Sequence, residues 1–336
     1  MRIPSNKIAD VVRFFRDELK STYENDEVET FIAYCFDEFL NLKRADIFLN
    51  GSTTITESEL LKFNFAIKDL KQHKPIQYIL GKADFYGLKF IVNQHVLIPR
   101  PETEELVDLI VKENQVSNTK SQEPRAKNQE PSQLITHNSE LITPNSHLTS
   151  SISHLTSHIS ILDIGTGSGC IPIALKKNIP SANVYAMDIS EDALKVAKQN
   201  AVLTNINVDF FQFDILSPNA PLPFADLKFD IIVSNPPYIR FSEKEQMQKN
   251  VLDYEPHLAL FVNDNDPLLF YKAIADFAIK HLKNQGILFY EINEVLGVET
   301  GEMLSNKGFE NVILLKDLNN KNRILQCNFS RGSNEK

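Results

Sequence analysis

Ile159-Ser-Ile-Leu-Asp163-Ile-Gly165-Thr-Gly167-Ser-Gly169-Cys170 is an apolar strand running into a glycine-rich turn, followed by a helical stretch from Ile171 to Lys177. Glycine lets backbone approach a ligand closely, and the N-terminus of the following helix offers free N–H groups. The spacing is G-x-G-x-G. It lacks the Lys-Ser/Thr of a phosphate-cradling P-loop, and its third glycine falls one residue early for the dinucleotide fingerprint. A strand–helix turn kept only for packing uses the same glycines, so this segment sets the local fold and leaves its ligand open.

Working outward, strand and helix patterns alternate: strand 159–164, helix 169–178, strand 183–188, helix 191–202, strand 208–214 and strand 229–235. Helix 268–283 leads through Gly286 to strand 287–292, and a helix near 294–306 precedes closing strands 311–318 and 323–329. Such alternation predicts an α/β fold with a mainly parallel, doubly wound sheet covered by helices. The last two strands, joined by Asn319-Asn-Lys-Asn322, are expected to form a terminal antiparallel hairpin.

Open α/β sheets bind ligands outside the carboxyl ends of their strands. Asp188 ends the second strand, where a carboxylate can accept both hydroxyls of a ribose; Asp214 ends the third, placed to take an adenine amine, with Ile215 to cover the base. Either acid alone is as readily a helix cap or a solvated charge. The next strand runs Phe229-Asp-Ile-Ile-Val-Ser-Asn235-Pro236-Pro237-Tyr238. The prolines lack N–H groups, so the carbonyls there are available to a ligand, and a carboxamide and an aromatic ring stand beside them. The expected product is a planar slot for a flat NH₂-bearing group.

With these residues the chain resembles the class I S-adenosylmethionine-dependent methyltransferases and, within them, the release-factor glutamine N5-methyltransferases (PrmC/HemK family). The resemblance spans most of the chain. It is carried by Pro75-Ile-Gln-Tyr-Ile-Leu-Gly81, Val96-Leu-Ile-Pro-Arg100-Pro-Glu102-Thr-Glu104, the glycine turn, Val233-Ser-Asn-Pro-Pro-Tyr-Ile239 and Tyr254-Glu255-Pro256. Asn-Pro-Pro-Tyr also occurs in enzymes acting on adenine N6 and guanine N2; the Ile-Pro-Arg-Pro-Glu-Thr-Glu segment is the more specific marker.

The resemblance implies a Rossmann-like sheet and S-adenosyl-L-methionine held by Asp163, Gly165, Thr166, Gly167, Ser168, Gly169, Asp188, Asp214, Ile215 and Asn235. It also implies that bacterial class 1 peptide chain release factors are the partner, methylated on the glutamine of a Gly-Gly-Gln tripeptide. Asn235, Pro236 and Tyr238 are the expected catalytic residues, and with Pro237 they line the substrate slot. In that scheme the Asn235 side-chain oxygen and the Pro236 carbonyl each accept one amide N–H, and Tyr238 stacks on the amide. Arg100, Glu102 and Glu104 either orient loops near the site or form a structural pair at a helix start, and Glu255 is a cap or an anchor for the Asn-Pro-Pro-Tyr loop. Two segments depart from the family pattern, Phe261-Val-Asn-Asp-Asn-Asp-Pro267 and Glu291-Ile-Asn293, and neither is expected to touch the three acids or the slot.

The remainder of the chain sets the domain plan. Its 336 residues suffice for about two domains. Helical stripes are Ile8, Val11, Val12, Phe15, Leu19, then Val28, Phe31, Ile32, Cys35, Phe39, then Leu60, Phe63, Ile67, Leu70, the last opened by a Thr56/Glu59 capping box. They predict a small helical bundle over 1–75, which the resemblance makes a substrate-recognition domain. Residues 76–100 are β-rich and are expected to form a hairpin linker, and a methyltransferase domain fills 101–336, starting with a helix at Pro101. Residues 114–158 are rich in Ser, Thr, Asn and Gln and hold His137, His147, His154 and His158 at irregular spacing. A disordered insertion is expected there, and no metal site.

A net charge of −9 argues against a long basic groove for nucleic acid. The three separated cysteines, Cys35, Cys170 and Cys327, suit buried free thiols in a reducing compartment. With no signal-type or membrane-spanning apolar run, a cytoplasmic protein is expected. Two alternatives stand beside the first: a nucleic-acid amino methyltransferase using the same slot, and a non-catalytic cofactor-binding activator subunit.

Overall fold

The computed structural model describes residue 3 and residues 5–120, 159–217, 221, 224 and 226–331. The chain divides into two compact units. One comprises Met1–Ala83, Ile91–Ile98 and Ser242–His257; the other comprises Asp84–Phe90, Pro99–Phe241 and Leu258–Lys336. The first unit thus recruits a segment from far along the chain, which a contiguous division at residues 75 and 100 does not anticipate.

The first unit contains helices α1 (Ile8–Leu19), α2 (Asn25–Leu40), α3 (Arg44–Leu49), α4 (Glu57–Leu70) and α5 (Ile76–Leu80). Its core gathers the expected stripes, with Phe15, Leu19, Cys35, Phe36, Phe63 and Ile67 fully enclosed. On α2 Phe36 is buried as well as Phe31, its ring centroid 4.6 Å from that of Phe63, while Phe39 is only partly covered. The capping box forms as its spacing requires: Glu59 N–H donates to the Thr56 hydroxyl (3.2 Å), and Thr56 N–H donates to the Glu59 carboxylate (2.8 Å). The distant segment, which includes α9 (Lys249–Leu252), is tied in by hydrogen bonds. The Tyr254 hydroxyl donates to the Gln72 carbonyl (2.8 Å), and buried Glu255 accepts the Ile98 N–H (3.1 Å).

A short hairpin, β1 (Lys82–Phe85) and β2 (Leu88–Ile91), precedes α6 (Pro101–Lys120). Glu104 in the first turn of α6 accepts the Tyr86 N–H of the hairpin turn at 2.8 Å, a structural use for that carboxylate. Because α6 continues to Lys120, residues 114–120, expected to open the insertion, are helical instead. The four histidines and the rest of that stretch lie outside the described residues.

The second unit is built on a seven-stranded sheet: β3 (Ser160–Ile164), β4 (Asn183–Asp188), β5 (Asp209–Gln212), β6 (Phe229–Ser234), β9 (Leu282–Glu291), β10 (Phe309–Lys316) and β11 (Asn322–Phe329). Its order is β10-β11-β9-β6-β3-β4-β5. Strands β9, β6, β3, β4 and β5 run parallel, and β11 is antiparallel to both β9 and β10. The doubly wound sheet and its terminal hairpin agree with the alternation read along the chain. Two-residue strands β7 (Ile239–Arg240) and β8 (Phe261–Val262) pair separately, and a short helix α10 (His257–Leu260) precedes β8.

Helices α7 (Cys170–Asn178), α8 (Glu191–Thr204), α11 (Leu269–His281) and α12 (Gly297–Asn306) supply the crossovers. Both faces of the sheet are buried, as parallel strands require. On one face Ile161, Val184, Val233 and Phe289 pack against α6 and α7; on the other Leu162, Met187, Ile232 and Leu288 pack against α11. Single strands alternate between the two cores residue by residue, which holds register tightly. Cys35, Cys170 and Cys327 are buried free thiols. Among the described residues no helix is long and apolar enough to cross a membrane.

Candidate active site

Strand register builds the site. Ile164 of β3 pairs with Met187 of β4 and with Ser234 of β6, and Ser234 pairs with Tyr290 of β9. The next residue on each strand is therefore Gly165, Asp188, Asn235 or Glu291, and these four lie in one row at the carboxyl ends of adjacent parallel strands. That is where open α/β sheets place their ligands.

The glycine turn follows from backbone geometry. Gly165, Gly167 and Gly169 adopt φ of 77°, 54° and 79°, a region that Cβ-bearing residues avoid. At Gly165 and Gly167 an added Cβ would meet nothing within 4 Å, so the requirement there is conformational; at Gly169 it would lie 3.1 Å from Ala197 Cβ, so packing demands glycine as well. Gly165 N–H and Thr166 N–H both donate to the Met187 carbonyl, at 2.8 and 3.1 Å. Asn200, fully buried on α8, donates to the Ser168 carbonyl at 2.9 Å. Its position within a helical stripe gives no sequence-level sign of this role.

The acids differ in how they are satisfied. Asp163 is wholly buried, and neither its carboxylate nor the Thr166 hydroxyl has a hydrogen-bond partner among the described residues. Burial pushes Asp163 up to about 7, opposed by the nearby Thr166 hydroxyl and reinforced by the charge of Asp188. Asp188 accepts Gly167 N–H on one oxygen (2.8 Å) and Ser190 N–H on the other (2.9 Å), leaving each oxygen a further lone pair. Burial raises it too, against the pull of those N–H donors. Asp214 lies past the end of β5, which stops at Gln212 and not at 214. Its carboxylate accepts the Leu216 N–H and the Ser217 hydroxyl, forming a local turn, and Ile215 packs at the margin of the second core.

At the slot, Pro236 is buried and Asn235, Pro237 and Tyr238 are half-buried. Asn235 Nδ2 donates to the Thr103 hydroxyl at 3.3 Å, and Asn235 Oδ1 has no hydrogen-bond partner among the described residues. Thr103 Oγ1 donates to Glu291 Oε2 at 2.6 Å, and the Tyr238 hydroxyl donates to Glu291 Oε1 at 3.2 Å. Burial raises Glu291 above the ordinary carboxylate range, while the Thr103 hydroxyl, the charge of Arg323 and the Tyr238 hydroxyl act the other way. Asn293 Nδ2 donates to the Tyr238 carbonyl at 3.2 Å.

The expectation that Glu291-Ile-Asn293 stays clear of the slot is therefore wrong: both its polar residues hold Tyr238. Phe261-Val262 likewise pairs with Ile239-Arg240, directly after Tyr238. Thr103 and Glu291 escaped a reading residue by residue because 132 and 53 positions separate them from their slot partners.

A parallel sheet with a glycine turn, a carboxylate on the neighbouring strand and Asn-Pro-Pro-Tyr at the next strand end defines a methyltransferase of the α/β class. Residues 146–254 match the family model described as the Methyltransferase small domain, and residues 10–81 match the PrmC N-terminal domain. The chain is 42% identical to the release factor glutamine methyltransferase of Flavobacterium psychrophilum, over 94% of this chain and 96% of that protein. It is 37% identical to the protein of that name from Bacteroides thetaiotaomicron, over 95% of this chain and 99% of the relative. A Streptococcus pneumoniae relative with the same name is 36% identical, over 95% and 97% of the two chains. The chain belongs to the release factor glutamine methyltransferase family.

Proposed function

We propose that the protein transfers a methyl group from S-adenosyl-L-methionine to the side-chain amide nitrogen of the glutamine in the Gly-Gly-Gln motif of bacterial class 1 release factors, in the cytoplasm. The observation that carries the substrate class is the Asn235 carboxamide. Its NH₂ is engaged by Thr103 and its oxygen is left to accept. An acceptor oxygen at a strand end, beside a proline carbonyl, suits a substrate NH₂ group and not a carbonyl or phosphate.

The residues fit the cofactor. A buried carboxylate without a hydrogen-bond partner among the described residues, Asp163, favours a cationic or N–H-bearing ligand, and Asp188 keeps lone pairs for a diol. Asp163, the Gly165–Gly169 backbone and Asp188 would hold the cofactor, with Asp214 and Ile215 toward its base. Bound S-adenosylmethionine supplies an electrophilic methyl group on a sulfonium.

The chain's own part is orientation and electrostatics. An amide nitrogen is a weak nucleophile because its lone pair is delocalised into the carbonyl. Asn235 Oδ1 and the Pro236 carbonyl each accept one N–H of the glutamine, holding the nitrogen's lone pair toward its target. These hydrogen bonds strengthen as the nitrogen gains positive charge, so they stabilise the transition state more than the ground state. Tyr238 closes the slot, with its hydroxyl and its carbonyl both anchored by the end of β9 and the residues just after it. The product proton leaves after transfer, so no strong general base is required.

The test is a labelled-methyl assay offering purified release factor, tRNA and duplex DNA separately, followed by mass spectrometry of the Gly-Gly-Gln peptide. One added methyl on that glutamine is the expected result. Label entering only nucleic acid would replace this substrate with a base amine, and no label in any acceptor would leave a cofactor-binding subunit.

A further inference from the structure

We infer that Thr103 is the positioning residue that sets which way the Asn235 carboxamide faces, through a hydroxyl relay anchored on Glu291. The inference rests on the acceptor role of Asn235 proposed above. A carboxamide is nearly symmetric in shape, and a flip of its terminal torsion exchanges an acceptor for a donor. In a slot that must grip two N–H hydrogens, a flipped Asn235 would present its own NH₂ and leave one of them without an acceptor, so the bound nitrogen would be misaligned. The orientation therefore needs a cause.

That cause begins at Glu291, which is buried with a carboxylate that only accepts hydrogen bonds while ionised. Two hydroxyls meet it, one on each oxygen: Tyr238 on Oε1 and Thr103 on Oε2. Thr103 owns a single hydroxyl proton, and at 2.6 Å that proton is committed to the carboxylate. The lone pairs of Oγ1 are then all that Thr103 presents to Asn235, and only the NH₂ end can meet them. Oδ1 is left facing outward as an acceptor. At 3.3 Å the last contact is long for a strong hydrogen bond, and its service is to discriminate between two orientations.

The hydroxyl is not spent on its own helix. Thr103 sits in the first turn of α6 and its backbone N–H already donates to the Arg100 carbonyl (3.1 Å), while its side chain reaches 188 positions along the chain to β9. Thr103 is itself buried, so water does not compete for the contact.

The experiment compares Thr103→Val, which keeps the shape and removes the hydroxyl, with Thr103→Ser, which restores it. Turnover is measured with purified release factor, cofactor affinity by calorimetry and folding by Tm. Thr103→Val is expected to lower kcat roughly 10- to 100-fold, as misplacement of a reacting group does. The Kd for S-adenosylmethionine and the KM for release factor should stay within about twofold, and Thr103→Ser should recover most of the lost kcat. A folded Thr103→Val enzyme with wild-type kcat overturns the relay; so does a Thr103→Ser enzyme as slow as the valine variant.

Should Thr103→Val fail to fold, the wild-type enzyme carries the test. Selective labelling should show a nuclear Overhauser contact between the Asn235 side-chain NH₂ and the Thr103 side chain, and its absence overturns the relay. Asn235→Ala separates the two claims. Full turnover in that variant removes the acceptor role underneath, whereas an inactive Asn235→Ala beside an unimpaired Thr103→Val removes the relay alone.

Discussion

The glycine turn and the Asn-Pro-Pro-Tyr slot stand at the ends of neighbouring parallel strands, yet they are organised in opposite ways. The turn takes its shape from three positive-φ glycines within a few residues, is tied to Met187, Asp188 and Asn200, and leaves its key acid, Asp163, without a hydrogen-bond partner among the described residues. The slot is held by side chains from α6, β9 and the segment after β9, which engage the Asn235 NH₂, the Tyr238 hydroxyl and the Tyr238 carbonyl and leave Asn235 Oδ1 without a partner among the described residues. One half stores an unmet electrostatic demand that a charged ligand can satisfy. The other is preorganised and needs only a substrate of matching polarity. An enzyme that binds a cationic cofactor and then aligns a weak nucleophile has use for both designs.

Substitutions at the two sites should separate affinity from turnover. Asn235→Ala should lower kcat by about 10²- to 10³-fold, the loss typical for one group that stabilises transition-state charge, with cofactor Kd unchanged by calorimetry. Asp163→Asn should do the reverse, weakening cofactor binding by roughly 10- to 100-fold, as removal of a charged hydrogen-bond partner does. The same change should stabilise the unliganded protein above neutral pH. A carboxylate raised to about 7 favours the folded state at low pH and loses that contribution as pH climbs through the raised value. Thermal unfolding at pH 8 should show Asp163→Asn melting higher than the parent, by roughly 2–4 °C for each 1 kcal/mol relieved.

Acid should also weaken the cofactor site. A cationic ligand prefers ionised Asp163, so affinity should fall below about pH 7, by at most tenfold per pH unit, and level off above it. Affinity that stays flat from pH 6 to 8 would detach Asp163 from the ligand. Gly169→Ala should destabilise the fold by about 1–3 kcal/mol in urea, because its Cβ is crowded by Ala197 as well as strained in φ. Gly165→Ala, in open space, should stay at the low end of that range and act mainly on cofactor affinity. The smallest effect is expected at Thr56→Ala, about 1 kcal/mol from a lost helix cap with turnover unaltered.

Much of the architecture was legible along the chain. The stripes of α1, α2 and α4, the capping box, the doubly wound sheet and the terminal hairpin arise from periodicities of 3.6 and 2 that local sequence carries. Errors came where a boundary depends on neighbours. β5 ends at Gln212 because Asp214 turns the chain through Leu216 and Ser217. β9 starts at Leu282, earlier than the apolar run beginning at Ile287, because Leu282 pairs with Phe229 across the sheet. A segment of polar composition, 114–120, continues a helix already under way. The joining of Ser242–His257 to the helical unit has no local signature, since it depends on Tyr254 and Glu255 finding Gln72 and Ile98.

Local chemistry in the chain settled which groups the site contains: three glycines with φ near 54–79°, acids at or near strand ends, and a carboxamide followed by two prolines. Those facts follow from steric limits on single residues and need no distant contact. Folding settled how the groups are arranged. Strand pairing set Gly165, Asp188, Asn235 and Glu291 in one row, burial withheld solvent from Asp163, and a hydroxyl 132 residues away holds the NH₂ end of Asn235. Polarity at the slot is a property of proton bookkeeping across three side chains, and no one of them carries it alone.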